Sequence, residues 1–137
     1  MKYLKLFPLL AVVALTSCNL DPGSVYYNNV VIPIDERIIP DTVVVGEPFF
    51  IYAHSTLDND CWSNIRFFFD TIEERNFQIF ALADYASIGA CSEIPVTADT
   101  ALTLTADLPG DYLFRIWMNA YEYDLDTLIV KENIEGK

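Results

Sequence analysis

The sequence predicts an all-β domain, a two-layer sandwich of about seven to eight strands. Its apolar residues recur in short alternating runs with no sustained helical period. Turn-forming residues punctuate those runs, as in Gly46-Glu47-Pro48, Asp58-Asn59-Asp60 and Leu108-Pro109-Gly110-Asp111. An apolar share of 53%, with 9 Phe, 8 Tyr and 2 Trp, supplies a core that one open sheet could not hide from water. A chain of 137 residues has room for one globular domain and hardly for two.

Taken in order, the first strand is expected over residues 29–34, ending near Asp35-Glu36-Arg37 and Pro40, with a short piece at Val43-Val44-Val45. Residues 49–55 follow, placing Phe49, Ile51, Ala53 and Ser55 on one face and Phe50, Tyr52 and His54 on the outward one. An aromatic strand spans residues 62–69, with Phe67 and Phe69 facing opposite to Trp62 and Phe68. Residues 70–76 are polar enough for a connection, and residues 77–83 read as another strand. A short helix over 71–83 is the alternative, because Glu73 and Glu74 favour helix and Phe77, Phe80 and Leu82 could form a stripe. Residues 101–106 alternate, and the Pro-Gly turn then leads into Tyr112-Leu113-Phe114-Arg115-Ile116-Trp117. The period of two turns Tyr112, Phe114 and Ile116 inward and Arg115 outward, and a buried phenol calls for a backbone partner near the turn. An acidic hairpin at residues 119–126 precedes the last strand, Thr127-Leu128-Ile129-Val130-Lys131, and a polar tail.

The first residues stand outside this fold. Met1-Lys2-Tyr3-Leu4-Lys5 is a cationic start, and the apolar run at residues 6–15 is about half of what crosses a bilayer, so residues 1–17 read as an export signal. Leu15-Thr16-Ser17-Cys18 resembles the lipobox of bacterial lipoproteins. That resemblance implies diacylglycerol on the Cys18 thiol and cleavage just before it. Residues 18–26 would then be the lipidated cysteine and tether, and residues 27–137 the domain. In the same resemblance the residue after the cysteine influences sorting. Asn19 is not the aspartate used for inner-membrane retention in enterobacteria, so the outer membrane is expected.

The whole chain carries a formal charge of −12; cleavage removes Lys2 and Lys5 and leaves six basic side chains against 20 acidic ones, a formal −14. Such a balance argues against nucleic acid, whose binding requires cations that displace counterions. It also cannot hold the chain to an anionic bilayer, so more than one acyl chain, palmitate among them, must do the anchoring.

With Cys18 assigned to lipid, Cys61 and Cys91 are left in an oxidising compartment and are expected to pair. The competing readings are a reactive thiol and a metal pair. His54 is the only histidine, whereas a closed zinc site needs four ligands.

The stretch Leu108-Pro109-Gly110-Asp111-Tyr112, with a closing Thr127-Leu128-Ile129-Val130 strand, looks like the F and G strands of immunoglobulin-like domains. There a tyrosine near the start of strand F forms a corner with the backbone, and Tyr112 is in register. Residues 27–131 also resemble small immunoglobulin-like lipoproteins of Bacteroidetes, which have Gly-Glu-Pro before strand B and cysteines about thirty residues apart. The resemblance implies no known activity. Antibody-type domains bridge strands B and F, whereas here a cysteine stands beside Trp62 and none lies on strand F. Trp62 is therefore expected at the disulfide edge.

Catalytic signatures are lacking in the sequence. A Ser-His-Asp reading could recruit His54 with Ser55 or Ser63, but no nucleophile elbow supports it. Two acidic groups, Asp58, Asn59 and Asp60 in one turn and Glu122, Asp124 and Asp126 in another, have the oxygen ligands calcium prefers without its loop spacing. No cofactor is expected. The informative surplus is aromatic: Phe50, Tyr52, Trp62, Trp117, Tyr121 and Tyr123 are the candidate binding surface, with cover by residues 72–88 as the bland explanation. The expectation is a membrane-tethered, non-enzymatic binding or accessory module for a protein, peptide or glycan. The alternatives are an adhesion or fibre subunit and a small hydrolase.

Overall fold

The computed structural model describes residues 23–134, so the leader, Cys18 and residues 19–22 lie outside the described part. The described residues form nine strands: β1 Val25–Ile32, β2 Glu36–Ile38, β3 Thr42–Val44, β4 Pro48–Leu57, β5 Trp62–Glu73, β6 Asn76–Ser87, β7 Val96–Thr105, β8 Gly110–Trp117 and β9 Tyr123–Lys131. They make an all-β domain of two sheets, one of six strands and one of three.

Strand β6 organises the six-stranded sheet. It pairs antiparallel with β5 along nearly its whole length. Because β1 pairs with the same residues 81–85 of β6, it must take the opposite edge. On that edge β1 occupies the C-terminal half of β6, and β8 runs parallel to the N-terminal half, Phe77 opposite Phe114 and Ile79 opposite Ile116. Strand β9 then pairs antiparallel with β8, and β3 parallel with β9. The small sheet is β2-β4-β7, antiparallel throughout.

Apolar alternation drives the two layers together. Phe49, Ile51, Ala53 and Leu57 of β4 are buried from one side, and Ile32, Ile79, Ala81, Ala83, Phe114, Ile116, Leu128 and Val130 from the other. Phe69, Phe77, Phe114 and Tyr112 form a connected ring cluster in this layer, with centroids 5.3 to 6.2 Å apart.

Between β1 and β2 the chain changes sheets. Pro33 has no N–H to continue the ladder. Its carbonyl instead accepts the Ser55 hydroxyl at 2.8 Å, which satisfies a fully buried polar group, and the Asp35 N–H donates to the His54 carbonyl at 2.9 Å. Strand β3 then returns to the large sheet.

The β8 expectations hold. Tyr112 is buried and its hydroxyl donates to the Leu108 carbonyl at 3.0 Å, while Phe114 and Ile116 are buried. Gly110 has φ +128°, a backbone conformation that side chains other than glycine's rarely adopt, so the turn requires glycine here; the Arg75 guanidinium lies against the same position.

Other expectations are corrected. The strand count is nine among the described residues, because Glu36-Arg37-Ile38, read as a strand end, pairs with β4. Strand β1 begins at Val25, inside the expected tether, where Val25 and Tyr26 pair with Ser87 and Ala86. Residues 70–73 are strand: β5 and β6 form one long hairpin turning at Glu74 and Arg75, so residues 76–87 are a strand of the large sheet and not a connection laid over it. Residues 123–126 of the expected acidic hairpin are likewise strand. Finally, Trp62 lies on the same inner side as Phe67 and Phe69. Register shifts between Ser63 and Arg66, where Asn64 adopts φ 55°, and the extra residue reverses the face.

Candidate functional site

The six predicted aromatic residues do not form one surface. Phe50 and Tyr52 lie on the outer face of the small sheet, beside Thr103, Ala101 and Ile38. Tyr52 is half-buried; partial desolvation, reinforced by the Asp99 and Glu36 carboxylates, raises its phenol pKa. Trp62 sits at the disulfide end, edge-on to Tyr85 with centroids 4.9 Å apart. The bridge itself is present, Cys61 to Cys91 with Cα atoms 5.5 Å apart, and the Tyr85 hydroxyl lies 3.4 Å from the Cys91 sulfur. Trp62 and Tyr85, with Tyr27, Val25, Val30 and Ser87, line a groove of about 550 Å³. Trp117 and Tyr123 lie on the outer face of the large sheet, and Tyr121, 91% exposed, projects from the turn between them.

The sheet register completes the third group. Phe68 pairs with Phe80 across β5 and β6, and their rings stack 5.0 Å apart at 10°. Phe80 is one residue beyond the Ile79–Ile116 pair and therefore stands beside Trp117 on β8. Trp117 pairs with Tyr123 on β9, edge to face at 5.1 Å. Phe68, Phe80, Trp117 and Tyr123 thus form one row across four strands. With adjacent strands roughly 4.8 Å apart, the row is about 14 Å long.

Polar side chains flank it on the same face. Gln78 accepts the Trp117 indole N–H at 3.1 Å and donates to Asp70 at 3.4 Å, which fixes the Trp117 ring. The Arg115 guanidinium lies over the Tyr123 ring, 5.6 Å from its centroid, where a cation meets the negative π face. A recess of about 270 Å³ opens between Val31, Gln78, Phe80, Trp117 and Ala120.

On the other flank Asp84 clamps two bulges. Its carboxylate accepts the Asn29 N–H at 2.9 Å, the Asn64 side-chain amide at 2.7 Å and Arg66 at 3.2 Å. Asn29 and Asn64 both have positive φ, 56° and 55°, a conformation asparagine tolerates better than most residues. The Asn29 backbone bond, then Asn64 and Arg66, hold the Asp84 pKa below its ordinary value.

The acidic groups do not gather into a cation site. Asp124 and Asp126 face inward on β9, where Arg37 pairs with both, at 3.1 and 3.6 Å, and Glu122 accepts from Asn119. Asp60 caps the Ser92 N–H at 2.7 Å and Asp58 accepts from Asn59. Among the described residues no group of three or more His, Cys, Asp or Glu side chains comes together. Nor does a Ser-His pair assemble: His54 lies 3.1 Å from the Thr56 hydroxyl on the outer face, Ser55 is buried on the inner one, and Ser63 bonds the Asp84 carbonyl.

Reading the sequence alone missed Phe68, Phe80, Gln78 and Arg115 as partners of Trp117 and Tyr123. A tight turn at Glu74-Arg75 alone would set Phe69 opposite Phe80; the extra residue between Thr71 and Glu73 shifts the register and brings Phe68 there, and no local pattern signals that shift. Comparison with protein-family models, curated proteins and solved structures found no match to this chain.

Proposed function

We propose that the chain is an extracytoplasmic, lipid-anchored binding module that takes a neutral glycan along the aromatic row of its large sheet. The row itself is the observation that carries this reading. Sugar rings present C–H faces that lie on the negative π faces of Trp, Tyr and Phe, and their hydroxyl groups need planar polar neighbours. Gln78, Asp70, Arg115 and Arg66 stand in register on either side of the rings. The acidity of the chain disfavours acidic polymers and leaves neutral ones. The disulfide-end groove is larger but offers fewer polar groups, Ser87 and tyrosine hydroxyls.

Anchoring through Cys18 is supported by Leu15-Thr16-Ser17-Cys18 and the short leader, and the outer membrane as its place by Asn19, which is not the retention aspartate. An immunoglobulin-like ancestry is supported by the Tyr112 corner and by the β2–β3 segment, which follows β1 and pairs first with β4 and then, parallel, with β9. In such domains strand C pairs with F. Here β6 takes that place and runs parallel to β8, so a variant of that sandwich is proposed.

Titration of the purified chain with a panel of neutral oligosaccharides, followed by calorimetry, tests the function. Binding by the wild type that Trp117→Ala lowers at least tenfold supports the reading. Binding that Trp117→Ala leaves intact contradicts it, as does no binding by any member of the panel.

A further inference from the structure

We infer that β5 is a self-complementary edge through which two copies of this chain join into one continuous sheet. Among the described residues β5 has a ladder partner only in β6. Strand β7 of the other sheet comes close to it across a recess lined by Phe67, Phe69, Thr100 and Leu102, but forms no ladder with it, so the backbone N–H and C=O groups of that edge lack a strand partner. Register shifts interrupt both ends of β5, between Ser63 and Arg66 and between Thr71 and Glu73. Residues 66–71 between them are the regular stretch available for strand addition.

The side chains of this stretch fit an antiparallel copy of themselves in one register. Centred on Phe68, a two-fold axis places Phe67 opposite the second copy's Phe69 and Arg66 opposite the second copy's Asp70, and each pair occurs twice. Arg66, Phe68 and Asp70 share the outer face, where Arg66 meets Asp84 and Asp70 meets Gln78. Opposite charges facing across strands are favourable pairs. Centring on Phe67 would set Arg66 against Phe68, and centring on Phe69 would set Arg66 against Ile72. A slip of one residue would turn the second copy's outer face to the opposite side. Only the Phe68 register pairs both charges and keeps both outer faces together.

Phe68 is 37% exposed, enough to meet its own copy. The assembled sheet would then carry eight rings in a line, the row of one copy continuing into that of the other. This last consequence rests on the proposed binding row; the dimer does not.

Cross-linking in membranes of cells expressing the full chain tests the inference. Phe68→Cys should form a disulfide-linked dimer, because residues on the axis face each other at about 4.5 to 5.5 Å between Cα atoms. Asp70→Cys should stay unlinked to itself, since its two copies would stand roughly 14 Å apart along the strands. Arg66→Cys and Asp70→Cys expressed together should link to one another. Asp70→Lys, which faces Arg66 with a like charge, should lower the Phe68→Cys yield several-fold. A Phe68→Cys chain that remains monomeric while its Cys61–Cys91 bridge is intact would overturn the inference, as would equal self-linking at residues 68 and 70. None of these readouts depends on a glycan.

Discussion

The outer faces of the two sheets both display aromatic residues, to different effect. On the small sheet Phe50 is 66% exposed and Ile38 64%, and among the described residues neither Phe50 nor Tyr52 stacks on another ring. On the large sheet Phe68 leans on Phe80 and Trp117 on Tyr123, and Gln78 and Arg115 hold the second pair in place. Four strands in register make the difference, because they repeat an outward aromatic position at one level. An isolated exposed ring is ordinary surface, whereas a supported line of rings is a platform whose shape exists before a ligand arrives.

The large sheet's outer face depends on the core beneath it. Phe114→Ala removes the ring that packs on Phe69 and Phe77 under the large sheet and should cost about 3 to 5 kcal/mol in equilibrium denaturation. A cost below about 1 kcal/mol would mean that the two layers are not packed as described.

Opening the bridge with Cys61→Ser and Cys91→Ser should cost about 3 to 4 kcal/mol, chiefly by freeing the loop in the unfolded chain. Non-reducing peptide mapping of the wild type from its native cells should recover the two cysteines linked. Free thiols at both positions would remove the staple.

Asp84 sharpens the contrast through pH. Its native pKa lies below the ordinary 3.8, so the ionised form favours the folded state. That stabilisation is present above the unfolded-state value and is lost as pH falls through the lower native one. Denaturation midpoints of wild type and Asp84→Asn should therefore differ at neutral pH and converge in acid. A pH-independent gap would show that the carboxylate charge plays no part in holding the two bulges.

On the small sheet the expected effects are least. Phe50→Ala should change stability by no more than about 0.5 kcal/mol and leave glycan affinity unchanged, as measured by denaturation and calorimetry. A loss of binding there would move the site to the other side of the molecule.

Elements with an uninterrupted period of two were legible in the sequence. Strand β4 buries Phe49, Ile51, Ala53, Ser55 and Leu57 in strict alternation, and β8 does the same with Tyr112, Phe114 and Ile116 after its Pro-Gly turn. Strand β2 was not legible, since Glu36-Arg37-Ile38 has no pattern of its own and is a strand only because β4 lies beside it. The face of Trp62 was hidden by the bulge at Asn64, which breaks the period it interrupts. The candidate site was half legible. Trp117 and Tyr123 stood out by type, but their alignment with Phe68 and Phe80 depends on β6 lying parallel to β8, a pairing between distant segments that no local pattern announces.

Whether a ligand meets the large sheet's aromatic row can be read from the two tryptophans of the chain. Trp62→Phe leaves Trp117 as the only indole, in the row, and Trp117→Phe leaves Trp62, at the disulfide end. Intrinsic fluorescence of both variants should be followed during titration with neutral oligosaccharides. A saturable change from Trp117 is expected in the first variant and none from Trp62 in the second. A change confined to Trp62 would place the ligand in the disulfide-end groove, and silence from both indoles across the panel would contradict a glycan platform altogether.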